Sequence, residues 1–294
     1  MKLFSRKPKP EAIQNPETPE AEEDPLLEET RPFFVPHELP TLRVQAAQSV
    51  GMARSHNEDA VYAMQLTLLT PESRHVFGLF MIADGMGGHL GGELASSLAI
   101  QGASNSLYRS LLEPLRLGQK NFSDEEISEA LNAAMHAAQE LVLNQAAGSG
   151  TTLTMAIVLD RNLYFAHVGD SRLYLAPYGE PLQVLTKDHS LVRRLVDLGQ
   201  IDEDEAKTHP QRNVLFRALG QEDGFKADLG AVKLENPVNL LLCSDGLWGL
   251  VQDQSLAETL RAARWSDKIA QKLINMANAA GGTDNISVIA VTII

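Results

Sequence analysis

The chain is 294 residues long, 44% hydrophobic and 21% charged, with 25 basic against 38 acidic side chains and a formal charge of −13. This is globular usage, which excludes collagen-like, mucin-like and wholly disordered chains; a net anion without a local basic stripe also disfavours nucleic acid as a partner. The single cysteine makes neither an intrachain disulfide nor a thiolate zinc site, which fits a reducing compartment. No secretory leader pattern and no apolar run of ~20 residues is present, so a soluble cytoplasmic protein without a membrane span is expected.

Residues 1–40 hold 8 of the 14 prolines, no glycine and a net charge of −4. Such a segment cannot bury enough apolar surface to offset its ordering entropy, so a disordered acidic tail is expected, with Phe33-Phe34-Val35 its one apolar anchor. Residues 41–294 read as one domain. Val76–Ala83 is a buried strand. Beyond the Gly87-Gly88 turn, Leu94, Leu98, Leu107 and Leu111 fall at helical spacing. Ser123-Asp124-Glu125-Glu126 is a capping box that opens a second helix with Ile127, Leu131, Ala134, Ala138 and Leu141 on one face. Two hairpins follow. Thr152–Leu159 and Leu163–Val168 flank Asp160-Arg161-Asn162, and Arg172–Ala176 and Leu182–Thr186 flank Pro177-Tyr178-Gly179-Glu180. A charged, partly helical insert runs from Lys187 to about Gly220. A strand at Val238–Cys243, helices at Ser255–Arg264 and Asp267–Ala280, and a closing strand at Ile286–Ile294 complete the chain. Hairpins with paired helices predict an α+β fold of antiparallel sheets flanked by α-helices.

Carboxylates stand where the apolar strands stop. Asp84-Gly85 follows Phe80-Met81-Ile82-Ala83, Asp170 follows Phe165–Gly169, and Asp245-Gly246 follows Leu240–Ser244. Asp284-Asn285 precedes the last strand, and Glu58-Asp59 precedes Ala60-Val61-Tyr62. Each alone reads equally as a turn or a helix cap. Together they can converge on one edge of a sheet assembly, where they repel unless cations neutralise them. Ligands that are all oxygen favour magnesium or manganese, whereas zinc would want histidine or cysteine at ligand spacing.

Five motifs in order, Arg54-Ser55-His56-Asn57-Glu58-Asp59, Asp84-Gly85-Met86-Gly87-Gly88, Gly169-Asp170-Ser171-Arg172, Ser244-Asp245-Gly246-Leu247 and Thr283-Asp284-Asn285, resemble those of the protein phosphatase 2C family. Gly150-Thr151-Thr152 and Thr186-Lys187-Asp188-His189-Ser190 are similar to its compact bacterial branch. The match covers about residues 43–294. The resemblance implies a sandwich of two antiparallel β-sheets flanked by helices, and metal-dependent hydrolysis of phosphoserine and phosphothreonine in proteins, opposing a cytoplasmic serine/threonine kinase. It implies two Mn2+ or Mg2+ ions, with a third in bacterial members. By that likeness Asp84 would bridge two ions, the carbonyl of Gly85 would complete the second, and Asp245 and Asp284 would hold the first. Asp170 with Asp245 would hold the third. Arg54 would bind substrate phosphate, Glu58 would hold metal-bound waters, Asp59 would stand behind them, and Lys187–Gly220 would be a flap. A monomer is expected. Two other readings stand beside this one: a catalytically silent phosphoprotein-binding module, and a two-metal hydrolase of small phosphate esters.

Met86 stands where many eukaryotic members carry a histidine proposed to protonate the leaving alkoxide, and a thioether donates no proton. The acid is therefore open between a metal-bound water and His56, which an extended strand would place on one face with Arg54 and Glu58. The remaining conspicuous residues read as structural. Cys243 is a small buried hydrophobe, Trp248 packs, His136 and His167 are structural, His189 and His209 bracket the insert, and Arg172 pairs with a nearby carboxylate. Arg193-Arg194 reads as a solvated helix face, or as a surface that attracts phosphorylated substrates.

Overall fold

The computed structural model describes residues 39–69, 74–87, 90–118, 121–221, 225–235, 237–262 and 268–294. The chain divides into two units, 1–36 and 37–294, and every described residue belongs to the second. The expected tail, including Phe33-Phe34-Val35, lies outside the described residues but for its last two positions, and so do Gly88 and His89 of the turn after Gly87.

Two antiparallel sheets form the centre. In the first, β1 (Leu42–Ser49), β11 (Ile286–Ile293), β10 (Val238–Cys243), β7 (Arg172–Pro177) and β8 (Gln183–Val184) lie side by side in that order. In the second the order is β2 (Asp59–Leu69), β3 (Arg74–Met86), β5 (Leu153–Leu159), β6 (Asn162–Val168) and β9 (Asp228–Lys233), with the short β4 (Gly150–Thr151) on the end of β3. Alternation along each strand decides which layer a side chain joins. Phe80 and Ile82 of β3 meet Leu240 and Leu242 of β10 and Ile289 and Val291 of β11 between the sheets. Phe77, Leu79, Met81 and Ala83 point the other way, against α1 (Leu90–Leu107) and α3 (Asp124–Gln145). Leu241 and Cys243 face α7 (Asp253–Arg261) and α8 (Ile269–Ala279). The result is the expected four-layer α+β sandwich, each fully buried Leu, Ile or Phe contributing about 1.5–3 kcal/mol.

Local details follow from the residues. The capping box at α3 is present: Ser123 Oγ accepts from the Glu126 N–H at 3.2 Å and Glu126 Oε2 accepts from the Ser123 N–H at 2.7 Å. In the first helix Leu98, Leu107 and Leu111 are buried, but Leu94 is exposed. The buried face there includes Ala95, Ala99 and Ala103, and α1 sits close on α3 at Gly102, where a Cβ would collide with the main chain of Ala137 and Ala138. The helix widens to a π-turn at Tyr108–Leu112 and continues as α2 (Glu113–Arg116), where Pro114 has no N–H to give the Ser110 carbonyl. In the first hairpin Asp160 takes φ of +53°, its carboxylate accepting from the Val76 N–H and pairing with His75, and β6 begins one residue early at Asn162. The second hairpin's return strand shrinks from Leu182–Thr186 to β8 alone. The insert is partly helical as expected, with α4 (Leu191–Asp197) and α5 (Glu203–Thr208). No described helix is long and apolar enough to cross a membrane.

Candidate metal centre

The register of β2 on β3 sets Asp59 directly opposite Asp84. Asp84 lies inside β3 and not beyond its end, which corrects the reading from the sequence: the ladder runs on to Met86 because β4 pairs with Gly85 and Met86. The Asp84 main chain is held on that side, its N–H donating to Thr152 Oγ1 (2.9 Å) and its carbonyl accepting from the Thr152 N–H (2.9 Å) and from Thr151 Oγ1 (2.9 Å). In the first sheet, β10 ends at Cys243 and Asp245 opens the one-turn helix α6 (Asp245–Trp248). Asp284 stands two residues before β11, and Asp170 lies in the turn between β6 and β7. Neighbouring strand ends thus carry the acids to one end of the sandwich.

The electrostatics record this convergence. Burial comes first in pushing the Asp84 carboxyl well above its ordinary value, followed by repulsion from Asp59, Asp245, Asp170 and Asp284. Burial likewise pushes Asp59 up to about 7 and Asp245 to about 6, with Asp284 adding to both. Asp170 is raised by burial, then by Asp245. Asp59 Oδ2 accepts from Ser244 Oγ at 2.9 Å, but Asp59 Oδ1 and Asp245 Oδ1 are buried without any hydrogen-bond partner. Buried acceptors left unpaired and carboxylates that repel one another are what a divalent cation would satisfy. Among the described residues no set of three His, Cys, Asp or Glu side chains is drawn together tightly enough to enclose an ion unaided. The donors gathered at this end of the sandwich are all oxygens, and oxygen ligands suit magnesium-like ions, which keep several waters and take one or two carboxylates each.

A loop over residues 50–58 forms the rim. Arg54 Nη2 donates to Asp284 Oδ2 at 2.7 Å, with half of the arginine side chain in solvent. Glu58 Oε1 lies 2.9 Å from His56 Nε2. No extended strand runs through His56 to set it on one face with Arg54 and Glu58; the segment is turns and irregular backbone until β2. Its shape comes from Asn285, whose Oδ1 accepts from the Glu58 N–H (2.8 Å) and whose Nδ2 donates to the carbonyls of Val50 (3.0 Å) and His56 (2.9 Å). Ser96 Oγ donates to the Glu58 carbonyl at 2.6 Å. At Gly51, φ is +82° and a Cβ would collide with the Asp284 carbonyl, so only glycine fits. Arg54, Glu58, Asp59, Asp84, Gly85, Asp245 and Asp284 are therefore joined by direct contacts, pairing or mutual repulsion, the Gly85 N–H donating to the Glu58 carbonyl at 3.2 Å, and Asp170 joins them by repelling Asp84 and Asp245. Asn285, Thr151, Thr152, Ser244 and Ser96 carry no charge, and no role was assigned to them from sequence.

Several conspicuous side chains are structural. Arg172 pairs with Asp188, Trp248 packs beneath it and donates to the Asp170 carbonyl, and His136 stands edge-on to Phe225. Cys243 is buried, and burial pushes its thiol up, away from nucleophilic use.

A family model for protein phosphatase 2C matches residues 54–284. The serine/threonine phosphatase stp of Listeria monocytogenes is 36% identical over 242 residues, covering 82% of this chain and 92% of that protein. The protein phosphatase PhpP of Streptococcus pneumoniae is 33% identical over 249 residues, covering 84% and 96%. Among solved structures, the serine/threonine phosphatase PstP/Ppp of Mycobacterium tuberculosis superposes with a TM-score of 0.71 at 34% identity, covering 85% of this chain and 98% of that one. The catalytic domain of the phosphatase PstP, solved with two manganese ions, gives 0.68 at 32% identity, covering 87% and 99%. The chain belongs to the protein phosphatase 2C family.

Proposed function

We propose that this chain is a metal-dependent protein serine/threonine phosphatase that hydrolyses phosphoserine and phosphothreonine with water, using Mn2+ or Mg2+ held by Asp84, Asp170, Asp245, Asp284 and the carbonyl of Gly85. The observation that carries the reading is the set of buried, mutually repelling carboxylates with two unpaired oxygens at one end of the sandwich. Relatives at 33–36% identity are named phosphatases, and one solved neighbour holds two manganese ions. Such ions, when bound, lower the pKa of a water for attack on phosphorus and offset its repulsion by the phosphate dianion.

The chain's own residues do the rest. Asp84, held through its backbone by Thr151 and Thr152, presents a carboxylate whose orientation the β-ladder sets. Arg54, half in solvent, carries a planar fork that grips two phosphoryl oxygens where a lysine would offer a point charge. Glu58, fixed through its own N–H and carbonyl, holds and orients water. Asp59 braces this set through Ser244. No covalent enzyme intermediate is needed, because positioning and charge stabilisation suffice for phosphoryl transfer. The leaving alkoxide needs a proton that Met86 cannot give; a water held at Glu58 supplies it in our reading, with His56, 2.9 Å from that carboxylate, as second donor. We place the enzyme opposite a serine/threonine kinase, as a cytoplasmic monomer whose residues 1–40 are dispensable for the chemistry; the lone buried cysteine fits that compartment.

The test is turnover of a phosphothreonine peptide and of a nucleotide with manganese and with a chelator. Manganese-dependent release of phosphate from the peptide, abolished by chelator, supports the reading. Preference for the nucleotide makes the chain a small-ester hydrolase, and silence on both makes it a binding module.

A further inference from the structure

The turn Gly169-Asp170-Ser171-Arg172 is fastened at every residue, with the buried Asp170 carboxylate at its tip. Gly169 takes φ of +108°. Both its main-chain groups go to one residue: its N–H donates to His189 Nδ1 (3.1 Å) and its carbonyl accepts from the His189 N–H (2.7 Å). The Asp170 carbonyl accepts from Trp248 Nε1 at 3.0 Å. Ser171 Oγ pairs with Thr152 Oγ1 at 2.8 Å, and the Ser171 carbonyl accepts from Thr154 Oγ1 at 3.2 Å.

Arg172 closes the other side. Its guanidinium donates from Nε and Nη2 to the two oxygens of Asp188 (3.0 and 2.7 Å), from Nη1 to the Tyr174 hydroxyl (3.2 Å), and lies 3.7 Å above the Trp248 ring. This forked, stacked geometry is one that lysine cannot reproduce. Asp188 and His189 are consecutive, so one dipeptide at the start of the 187–220 insert holds the turn from both flanks. Since His189 Nδ1 accepts, Nε2 carries the proton and donates to Asp228 Oδ2 (3.1 Å), while Arg217 Nη1 holds Asp228 Oδ1 (3.0 Å). Trp248 ends the helix that Asp245 begins, so the same clamp fixes Asp170 relative to Asp245.

A turn held only for its shape needs no buried carboxylate at its tip. We propose that His189 and the Arg172–Asp188 pair are positioning residues for Asp170, holding the turn residues on either side of it so that its carboxylate meets a divalent cation shared with Asp245. The inference rests on the assignment of Asp170 to a cation under the proposed function. Loss of the clamp should weaken that one cation and leave those at Asp84 and Asp284 in place.

The experiment is calorimetric titration of the full chain with manganese, with melting temperatures of the chelator-treated proteins measured alongside. His189→Leu keeps volume and removes the acceptor, His189→Asn returns an acceptor oxygen near the Nδ1 position, and Arg172→Lys keeps the charge without the fork or the stack. The expected result is a weakest manganese site about tenfold weaker in His189→Leu and Arg172→Lys, with tighter sites within about twofold of wild type and recovery in His189→Asn, the scale of outer-shell effects on metal affinity. A merely structural role would lower the melting temperature and leave that site unchanged. Unchanged weak-site affinity in the folded variants overturns the inference, as does failure of asparagine to restore it. If His189→Leu does not fold, Arg172→Lys with His189→Asn decides. An Asp170→Asn control separates the two levels: if it leaves every manganese site unchanged, the assignment of Asp170 falls, and the clamp's role with it.

Discussion

Replacing Asp245 by asparagine should make the cation-free protein more stable, although it removes a residue the proposed chemistry needs. Burial and Asp284 push the Asp245 carboxyl from 3.8 up to about 6, and Asp245 Oδ1 has no partner. At neutral pH the folded chain therefore bears a charge that is less costly in the unfolded chain; about two pKa units at ~1.4 kcal/mol each give about 3 kcal/mol. Asparagine keeps the shape and loses the repulsion but retains a desolvation cost of about 1 kcal/mol. The net gain is about 2 kcal/mol, or roughly 4–8 °C in melting temperature for a domain of this size. The folded carboxyl binds its proton more tightly than the unfolded one, so the penalty is absent below the unfolded value, grows between 3.8 and about 6, and is constant above. The advantage of the variant should therefore shrink as pH falls through that window. The assay is scanning calorimetry of both proteins in chelator at neutral and mildly acidic pH, then with manganese. At about a hundredfold excess over Kd, manganese adds about 2.7 kcal/mol to the wild type, and less to a variant missing a ligand, so the order narrows or reverses. A lower melting temperature for Asp245→Asn in chelator at neutral pH would refute the reasoning.

Asp84→Asn should cut manganese-dependent turnover by several orders of magnitude while unfolding stays cooperative; near-wild-type turnover would remove Asp84 from the centre. Arg54→Ala should raise KM and weaken inhibition by free phosphate by roughly 10- to 100-fold, the loss of a charged hydrogen bond of about 1.5–3 kcal/mol, and an unchanged phosphate inhibition constant would move Arg54 out of the pocket. His56→Ala should slow a phosphothreonine peptide and nitrophenyl phosphate equally if water donates the proton; a loss about tenfold greater on the peptide, whose alkoxide needs the acid, assigns the proton to His56. Deleting residues 1–40 should leave the melting temperature and aryl phosphatase activity unchanged, and a fall of several degrees would show that the segment packs on the domain.

The charged part of the site was legible because each acid follows or precedes an apolar run, and β-strands deliver their ends to common edges. What escaped has physical reasons. Asp84 read as lying past its strand because apolarity stops at Ala83, but the ladder does not: β4 supplies partners to Gly85 and Met86. Leu94 read as core because large side chains weigh most in a periodicity, whereas the buried face of the helix carries alanines and Gly102 and leaves Leu94 exposed. The π-turn leaves no apolar signature, only Pro114 beyond it. The shape of the 50–58 loop depends on Asn285, more than 225 residues away in sequence, through hydrogen bonds that no local pattern announces.

Asn285 also sets how the site can change over generations. One amide ties the loop bearing Arg54 and Glu58 to the residue adjoining Asp284, so the group that would grip phosphate and the group that would hold a cation share an anchor. A shift of β11 by one position would displace both together. A change at this one side chain therefore disturbs the phosphate-facing loop and the cation-facing strand end together. New specificities have freer ground in α4 and α5, which lie beyond the Asp188–His189 clamp and make no contact with Asn285.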